Sequence, residues 1–163
     1  MSEKTTDKFY DLLEDFDSAM LVTSTSEGEL RARPMSLGKP NDDGGLYFAT
    51  SKTSGKNFEV QLDSDVALTM QSGSKYLSLS GKARVVDDQA KINECYSSAW
   101  KVWFPEGRDD PDLTLLRVEP IEGEYWDQSG AKKLEFLWEA GKAVLQGEKL
   151  EGDELSGHAK VKL

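Results

Sequence analysis

The chain has 163 residues, enough for one domain or one subunit of a compact oligomer, and 30 acidic against 20 basic residues give it a formal charge of −10, which argues against nucleic acid or an anionic membrane surface as partner. One cysteine (Cys95) and one histidine (His158) exclude an internal disulfide, a cysteine or histidine metal cage and most Ser-His-Asp chemistry, so no metal site is expected. No stretch is apolar enough to span a membrane and no apolar signal region follows Met1, so the expectation is a soluble cytoplasmic protein.

Residues 5–16 place Phe9, Leu12, Leu13 and Phe16 at i, i+3, i+4, i+7, the pattern of an amphipathic helix, with Thr6 as a cap. Ala19–Thr23 reads as a buried strand, Ser24–Gly28 as a turn, and Leu30–Leu37 as the returning strand of a hairpin. Pro34 on that strand has no N–H to donate, so it belongs at an edge or a bulge. Lys39–Gly45 is a turn. Leu46–Ala49 is a strand, followed by the hydroxyls Thr50, Ser51, Thr53 and Ser54 and a short helix over 54–62. Ser51 or Thr53 is the expected cap, and Phe58 and Leu62 share one face of that helix.

Val66–Met70 is another strand. Tyr76–Val86 alternates: Tyr76, Ser78, Ser80, Lys82 and Arg84 fall on one side, Leu77, Leu79, Gly81, Ala83 and Val85 on the other. That is a half-buried antiparallel strand with a bulge or a close backbone approach at Gly81. Asp87-Asp88 opens a helix through Ile92, Cys95 and Tyr96 that ends in the aromatic run Trp100–Pro105. Strands over 113–121 and 123–127 and a helix over 134–145 complete a domain of residues 1–146. Residues 147–163 read as a polar, loosely attached tail. Six or seven short strands joined by tight turns, with helices inserted, favour a mainly antiparallel β-barrel over a parallel βαβ sheet.

The chemistry concentrates after the third strand. The stretch 44–58 holds Lys52 and Lys56 and no acid. Lys56 lies in the first turn of a helix, where a positive charge opposes the dipole, and a bound phosphate would reverse that penalty. Leu30–Asn41 adds Arg31, Arg33 and Lys39, and Gln71–Val86 adds Lys75, Lys82 and Arg84. Any one stretch could be an ordinary solvated strand face; three on neighbouring strands of an acidic protein point to an anion pocket. Gly55-Lys56 is not a P-loop: Thr50 stands where the first glycine belongs and Asn57 where the magnesium-binding hydroxyl belongs. Trp103 and Trp126 are candidates for stacking on a flat ligand, whereas Trp100 or Tyr96 reads as core. Cys95 reads as a buried small residue, His158 as inert, and the carboxylates at 87, 88, 109, 110 and 112 as caps and turns.

Taken in order, Ala19-Met20-Leu21-Val22-Thr23, Arg31-Ala32-Arg33-Pro34-Met35, Leu46-Tyr47-Phe48-Ala49-Thr50, Ser54-Gly55-Lys56, Gly81-Lys82-Ala83, Trp103-Phe104-Pro105-Glu106-Gly107 with Asp109-Asp110-Pro111, and Glu124-Tyr125-Trp126-Asp127 resemble the general-stress-protein branch of the pyridoxamine 5′-phosphate oxidase-like, FMN-binding split-barrel proteins. The resemblance implies a split β-barrel, a homodimer, and FMN in clefts at the dimer interface. It puts the flavin phosphate on Arg33 (less so Arg31), Thr50, Ser54 and Lys56, and the isoalloxazine beside Met35, Phe48 and Ala49. Tyr76 occupies the region where the oxidase turns a glutamine toward the flavin, and Trp103 or Trp126 could come from the second subunit.

Two departures separate this chain from the oxidase itself. Gly55 replaces a second basic residue, and the C-terminal substrate-binding Arg and His segment has no counterpart, which argues against pyridoxamine phosphate as substrate. The resemblance leaves two functions: a flavin-dependent oxidoreductase, reduced by a nicotinamide nucleotide or another small electron donor, or a flavin-binding stress module without turnover of its own.

Overall fold

The computed structural model describes residues 3–38, 43–147 and 157–163. The elements run α1 (Glu3–Leu13), β1 (Ser18–Ser24), β2 (Leu30–Ser36), β3 (Leu46–Ser51), α2 (Gly55–Leu62), β4 (Asp65–Ser72), β5 (Lys75–Val86), α3 (Gln89–Cys95), β6 (Leu113–Asp127), α4 (Ala131–Gln146) and β7 (His158–Lys162). Two short 3₁₀ turns, Ser98–Val102 and Gly107–Asp109, lie between α3 and β6. Part of the turn expected at Lys39–Gly45 lies outside the described residues.

Every strand pairing is antiparallel, in the order β2-β1-β4-β5-β6-β3, with β7 added to β6. The sheet curls until its two ends meet at a single bridge, Leu37 opposite Phe48. Among the described residues that bridge is the join between β2 and β3, so the barrel is split there. This is the split-barrel fold.

The alternation read along β5 holds: Leu77, Leu79 and Ala83 face the core while Tyr76, Ser80, Lys82 and Arg84 face out. The register shifts between Ser80 and Gly81, and a Cβ on Gly81 would come within 2.3 Å of the Glu119 carbonyl oxygen. Gly81 lies opposite Pro120, which has no N–H for the ladder, so the bulge forms where the chain cannot make regular pairs. That accommodation lets β6 run unbroken for 15 residues, where two strands were expected.

The main core gathers Phe9, Leu12, Leu13 and Phe16 against Leu21, Phe48, Leu68, Leu77, Leu79, Leu116 and Val118. α1 therefore closes the barrel with the face its periodicity marks, although it stops at Leu13. A second, smaller core on the outside of β3 and β6 holds Tyr47, Ile92, Cys95, Trp100, Phe104, Leu113 and Leu115. Trp100 is fully buried and donates its indole N–H to Ser36 Oγ (3.1 Å), and Cys95 is buried as expected. Asp88 caps α3 by accepting from the Ala90 and Lys91 N–H groups.

The C-terminal tail is not loosely attached. His158–Lys162 pairs with Glu122–Trp126 of β6, and Val161 is fully buried in the main core. Gly157 starts this strand at φ +62°, where a Cβ would fall 2.0 Å from the Asp127 carbonyl oxygen. Glycine is required there by both conformation and space. The barrel thus takes in the chain's last residues and does not end at residue 146. No helix among the described residues is long and apolar enough to cross a membrane.

Candidate functional site

β1 and β2 form a regular hairpin in which Ala19 faces Met35, Leu21 faces Arg33 and Thr23 faces Arg31. Side chains two apart share a face of a strand, so the inward face of β2 passes from apolar to charged along its length. Met35 lies in the core, 5% exposed. Arg33 and Arg31 follow at the barrel rim, and α2 packs over that end, against β1 and β5.

α2 brings the counterparts. Ser54 is its N-cap residue but makes no capping bond with its side chain, and Ser51 and Thr53 do not cap it either. The Ser54 Oγ instead accepts from Lys56 Nζ at 2.6 Å. Glu59 is buried, and donors converge on it: Thr23 Oγ1 at 2.5 Å and Arg33 Nη2 at 2.7 Å on one oxygen, Arg31 Nη1 at 3.3 Å on the other. Arg33 also donates through Nη1 to Thr23 Oγ1.

Arg31, Arg33 and Lys56 against the one carboxylate of Glu59 leave this cluster a net charge of +2, inside a chain of net −10. The electrostatics record the strain. Burial, and then the nearby Arg33, hold the Lys56 pKa below its ordinary value, against the opposing pull of Glu59. For Glu59, burial alone would push the carboxyl up; the Thr23 hydroxyl and the two guanidiniums outweigh it and hold the group below the ordinary carboxylate value. A phosphate monoester carries about −1.5 to −2 charge at neutral pH and offers three acceptor oxygens. It complements this cluster in charge, and guanidinium, ammonium and hydroxyl groups of the kind that bind phosphate are gathered here.

The remaining expected residues divide. Thr50 is 2% exposed and donates to Asn57 Oδ1 (3.2 Å), while Asn57 Nδ2 donates to the Ser51 carbonyl (2.9 Å). Thr50 and Asn57 therefore tie α2 to β3, and the Thr50 hydroxyl proton is already committed. Ser51 likewise donates to Asp112. Phe48 is fully buried beside Met35, so a ligand at the split could meet these two only through backbone; Ala49 packs against the outer core. Tyr76 and Trp126 face each other across β5 and β6 on the outward side of the sheet, the side opposite Arg33. Trp126 stacks on His158 with ring centroids 4.9 Å apart and planes within 1°, and His158 Nε2 shares a 2.5 Å hydrogen bond with Glu124 Oε1. The histidine read as inert is thus part of an ordered stack. Trp103 stands 63% exposed after the first 3₁₀ turn. Within one chain, then, the structure brings Arg33, Ser54 and Lys56 together and sets the aromatic candidates on another face.

Sequence reasoning missed Glu59, Thr23 and Asn57. Phe58 and Leu62 look like the buried face of α2, yet they are 62% and 57% exposed, and the buried side is Asn57, Glu59 and Val60. A signal existed: Arg31 and Arg33, two apart on a strand, must share a face, and two arginines side by side call for a carboxylate.

The chain matches the family model described as "Pyridoxamine 5′-phosphate oxidase like" over residues 4–151. The chain belongs to the pyridoxamine 5′-phosphate oxidase-like family. Within this family it is similar to general stress protein 26 of Bacillus subtilis, 28% identical over 118 residues, covering 69% of this chain and 81% of the relative. It is also 26% identical over 119 residues to protein bli-3 of Neurospora crassa, spanning 57% of that protein. Among solved structures, one assigned to general stress protein 26 of Jannaschia sp. CCS1 superposes with a TM-score of 0.77 at 28% identity, over 99% of this chain and all of that one. A structure described as the general stress FMN/FAD binding protein of Xanthomonas citri shares the fold, with a TM-score of 0.66 at 24% identity over 80% of this chain and 93% of that one.

Proposed function

We propose that this family member binds FMN, holding the phosphate between Arg33 and Arg31 of β2 and the Ser54–Lys56 turn at the start of α2, and that it works as a flavin-dependent oxidoreductase on a small molecule. The observation that carries the reading is the pair of guanidiniums on one buried carboxylate at the barrel rim, with the half-buried Lys56 ammonium near enough to feel the charges of both Arg33 and Glu59. The Xanthomonas protein of the same fold, described as FMN/FAD binding, supports a flavin as the ligand. The split between β2 and β3 leaves strand-edge N–H and C=O groups beyond the Leu37–Phe48 bridge, and such groups suit the polar edge of a flat heterocycle. When bound, the isoalloxazine would supply the redox chemistry; the protein binds and orients it and shields it from water. Arg33 and Lys56 would fix the ribityl phosphate, and Ser54 would donate to a phosphate oxygen while accepting from Lys56.

Lys56→Ala should weaken FMN binding roughly 10- to 100-fold, the loss of one hydrogen bond to a charged group worth about 1.5–3 kcal/mol. Riboflavin, which lacks the phosphate, should bind wild type and variant alike. Paired titrations of both ligands decide it: unchanged FMN affinity in a folded variant, or an equal loss for riboflavin, removes Lys56 from the phosphate site. Anaerobic addition of NADPH or NADH to the flavin-loaded protein then separates an oxidoreductase, whose flavin bleaches, from a flavin-holding module, whose flavin does not.

The working unit in this proposal is a homodimer. Met20 and Tyr76 are 39% and 41% exposed on the outward face of the sheet, and Leu134, Leu137, Trp138, Val144 and Leu145 on α4 are all more than half exposed. Apolar surface of that extent marks an interface, and a second copy could bring aromatic side chains toward the flavin that one chain holds away from its own cations. Light scattering of the flavin-loaded protein should give twice the chain mass; a monomer at micromolar concentration would refute the dimer.

A further inference from the structure

A carboxylate is an unfavourable neighbour for a phosphate. Glu59 nonetheless sits 8% exposed beneath the cations and takes hydrogen bonds from Arg33, Arg31 and Thr23. Two guanidiniums on one oxyanion is the arrangement a phosphate would take with the same arginines. The two anions therefore compete. Arg33 already directs one N–H from Nη1 to Thr23 and one from Nη2 to Glu59, which leaves Nε and the second hydrogen of each Nη for a ligand. Without the carboxylate, Arg31, Arg33 and Lys56 would repel one another in a partly buried space, and the Lys56 pKa, already lowered by burial and by Arg33, would lose the one charge that opposes the shift.

We propose that Glu59 is the resident anion of the ligand-free site, an inference that rests on the phosphate reading above. It neutralises the arginines while no phosphate is bound. By repelling an incoming phosphate and competing for its donors, it lowers the affinity for FMN and keeps the cofactor exchangeable. A purely structural role would show itself as weaker binding when the residue is changed. The resident-anion role has the opposite sign: removing the charge and keeping the shape tightens FMN binding and makes the ligand-free protein less stable.

The experiment titrates FMN and riboflavin into the full-length wild type, Glu59→Gln and Lys56→Ala, and follows thermal melting with and without FMN. Glu59→Gln should bind FMN about tenfold or more tightly, because one unit of like charge beside the phosphate is gone, and should bind riboflavin within about twofold of wild type. Its ligand-free form should melt lower than wild type, and FMN should raise its melting temperature by more than it raises that of wild type. If Glu59→Gln can be purified only with flavin bound, the FMN dissociation rate is read in its place, and a slower rate than wild type is expected. Equal or weaker FMN affinity, an equal or faster dissociation rate, or an equal gain for riboflavin overturns the proposal. The phosphate reading fails separately, if Lys56→Ala leaves FMN binding unchanged; a selective loss there beside no gain in Glu59→Gln overturns the resident anion alone.

Discussion

Val161→Asp should leave little folded protein, although the residue is the third from the end of the chain. Val161 is fully buried in the main core, opposite Gly123 of β6. Phe9 of α1 lies against that glycine so closely that a Cβ there would meet its ring at 2.3 Å. Ala159 and Leu163 pack on the same core, and the Leu163 N–H donates to the Ile121 carbonyl at 2.9 Å. Losing the valine side chain alone, as in Val161→Ala, should cost about 2 kcal/mol in transfer and cavity energy. Placing an unpaired carboxylate there adds several kcal/mol. The sum approaches the ~5–15 kcal/mol that holds a typical domain folded. The alanine variant should therefore show a lowered denaturant midpoint with an unchanged slope, and the aspartate variant should be insoluble or lack the far-ultraviolet signal of the sheet. An aspartate variant as stable as wild type would mean that β7 is dispensable.

That strand also shows where sequence reading stops. The barrel strands were legible because each is long enough for alternation to stand out: Tyr76–Val86 shows five inward positions in a row, and Gly81 marks the bulge. β7 has only His-Ala-Lys-Val-Lys, whose Ala159 and Val161 do alternate with lysines, but two apolar residues in a polar tail carry almost no signal. What makes it a strand is the open edge of β6, whose pairing residues lie 32 to 40 positions earlier in the chain. At the rim the reading of local structure held where local chemistry spoke: a lysine does stand in the first turn of a helix beside a hydroxyl. It went astray where a helix face had to be assigned, because Phe58 and Leu62 imitate a core face and lie exposed, while the polar Asn57 and Glu59 lie buried. The burial of Glu59 depends on Thr23, Arg31 and Arg33, more than 20 residues away, which no local window contains. The aromatic candidates were found by residue type, but Trp126 is held by His158, and that pair exists only because β7 is in place.

Arg33→Met should cost about 3–5 kcal/mol of stability at neutral pH, well beyond any effect at its exposed neighbour. Arg33 is the closer of the two guanidiniums on Glu59, with a side chain 23% exposed, against 61% for Arg31, whose bond to the same carboxylate is longer. Methionine keeps the length of the chain and its packing against the barrel but leaves Glu59 a buried charge with Thr23 and a solvent-facing arginine as partners. Breaking a buried pair from one side carries a cost of that size. Arg31→Met, at an exposed site, should cost less than about 1 kcal/mol.

The pH dependence gives a second test. In wild type the Glu59 pKa is held below its ordinary value of 4.5. The group therefore contributes stability above that pH and loses it as the pH falls through the folded-state value. Burial is already the largest single influence on Glu59, and without Arg33 less opposes it, so the pKa moves upward and the variant carries a penalty at neutral pH that protonation relieves. The gap between wild type and Arg33→Met should thus be widest near neutrality and narrow as the pH drops through the carboxylate range. Urea denaturation at pH 7 and pH 4 measures it directly. For a chain of this length each kcal/mol moves the melting temperature by about 2–4 °C, so the neutral-pH loss should appear as roughly 6–20 °C. A gap below about 1 kcal/mol, or one that does not change with pH, would mean that Glu59 is held by something other than Arg33, and the cation cluster would no longer be the organised anion site on which the flavin assignment depends.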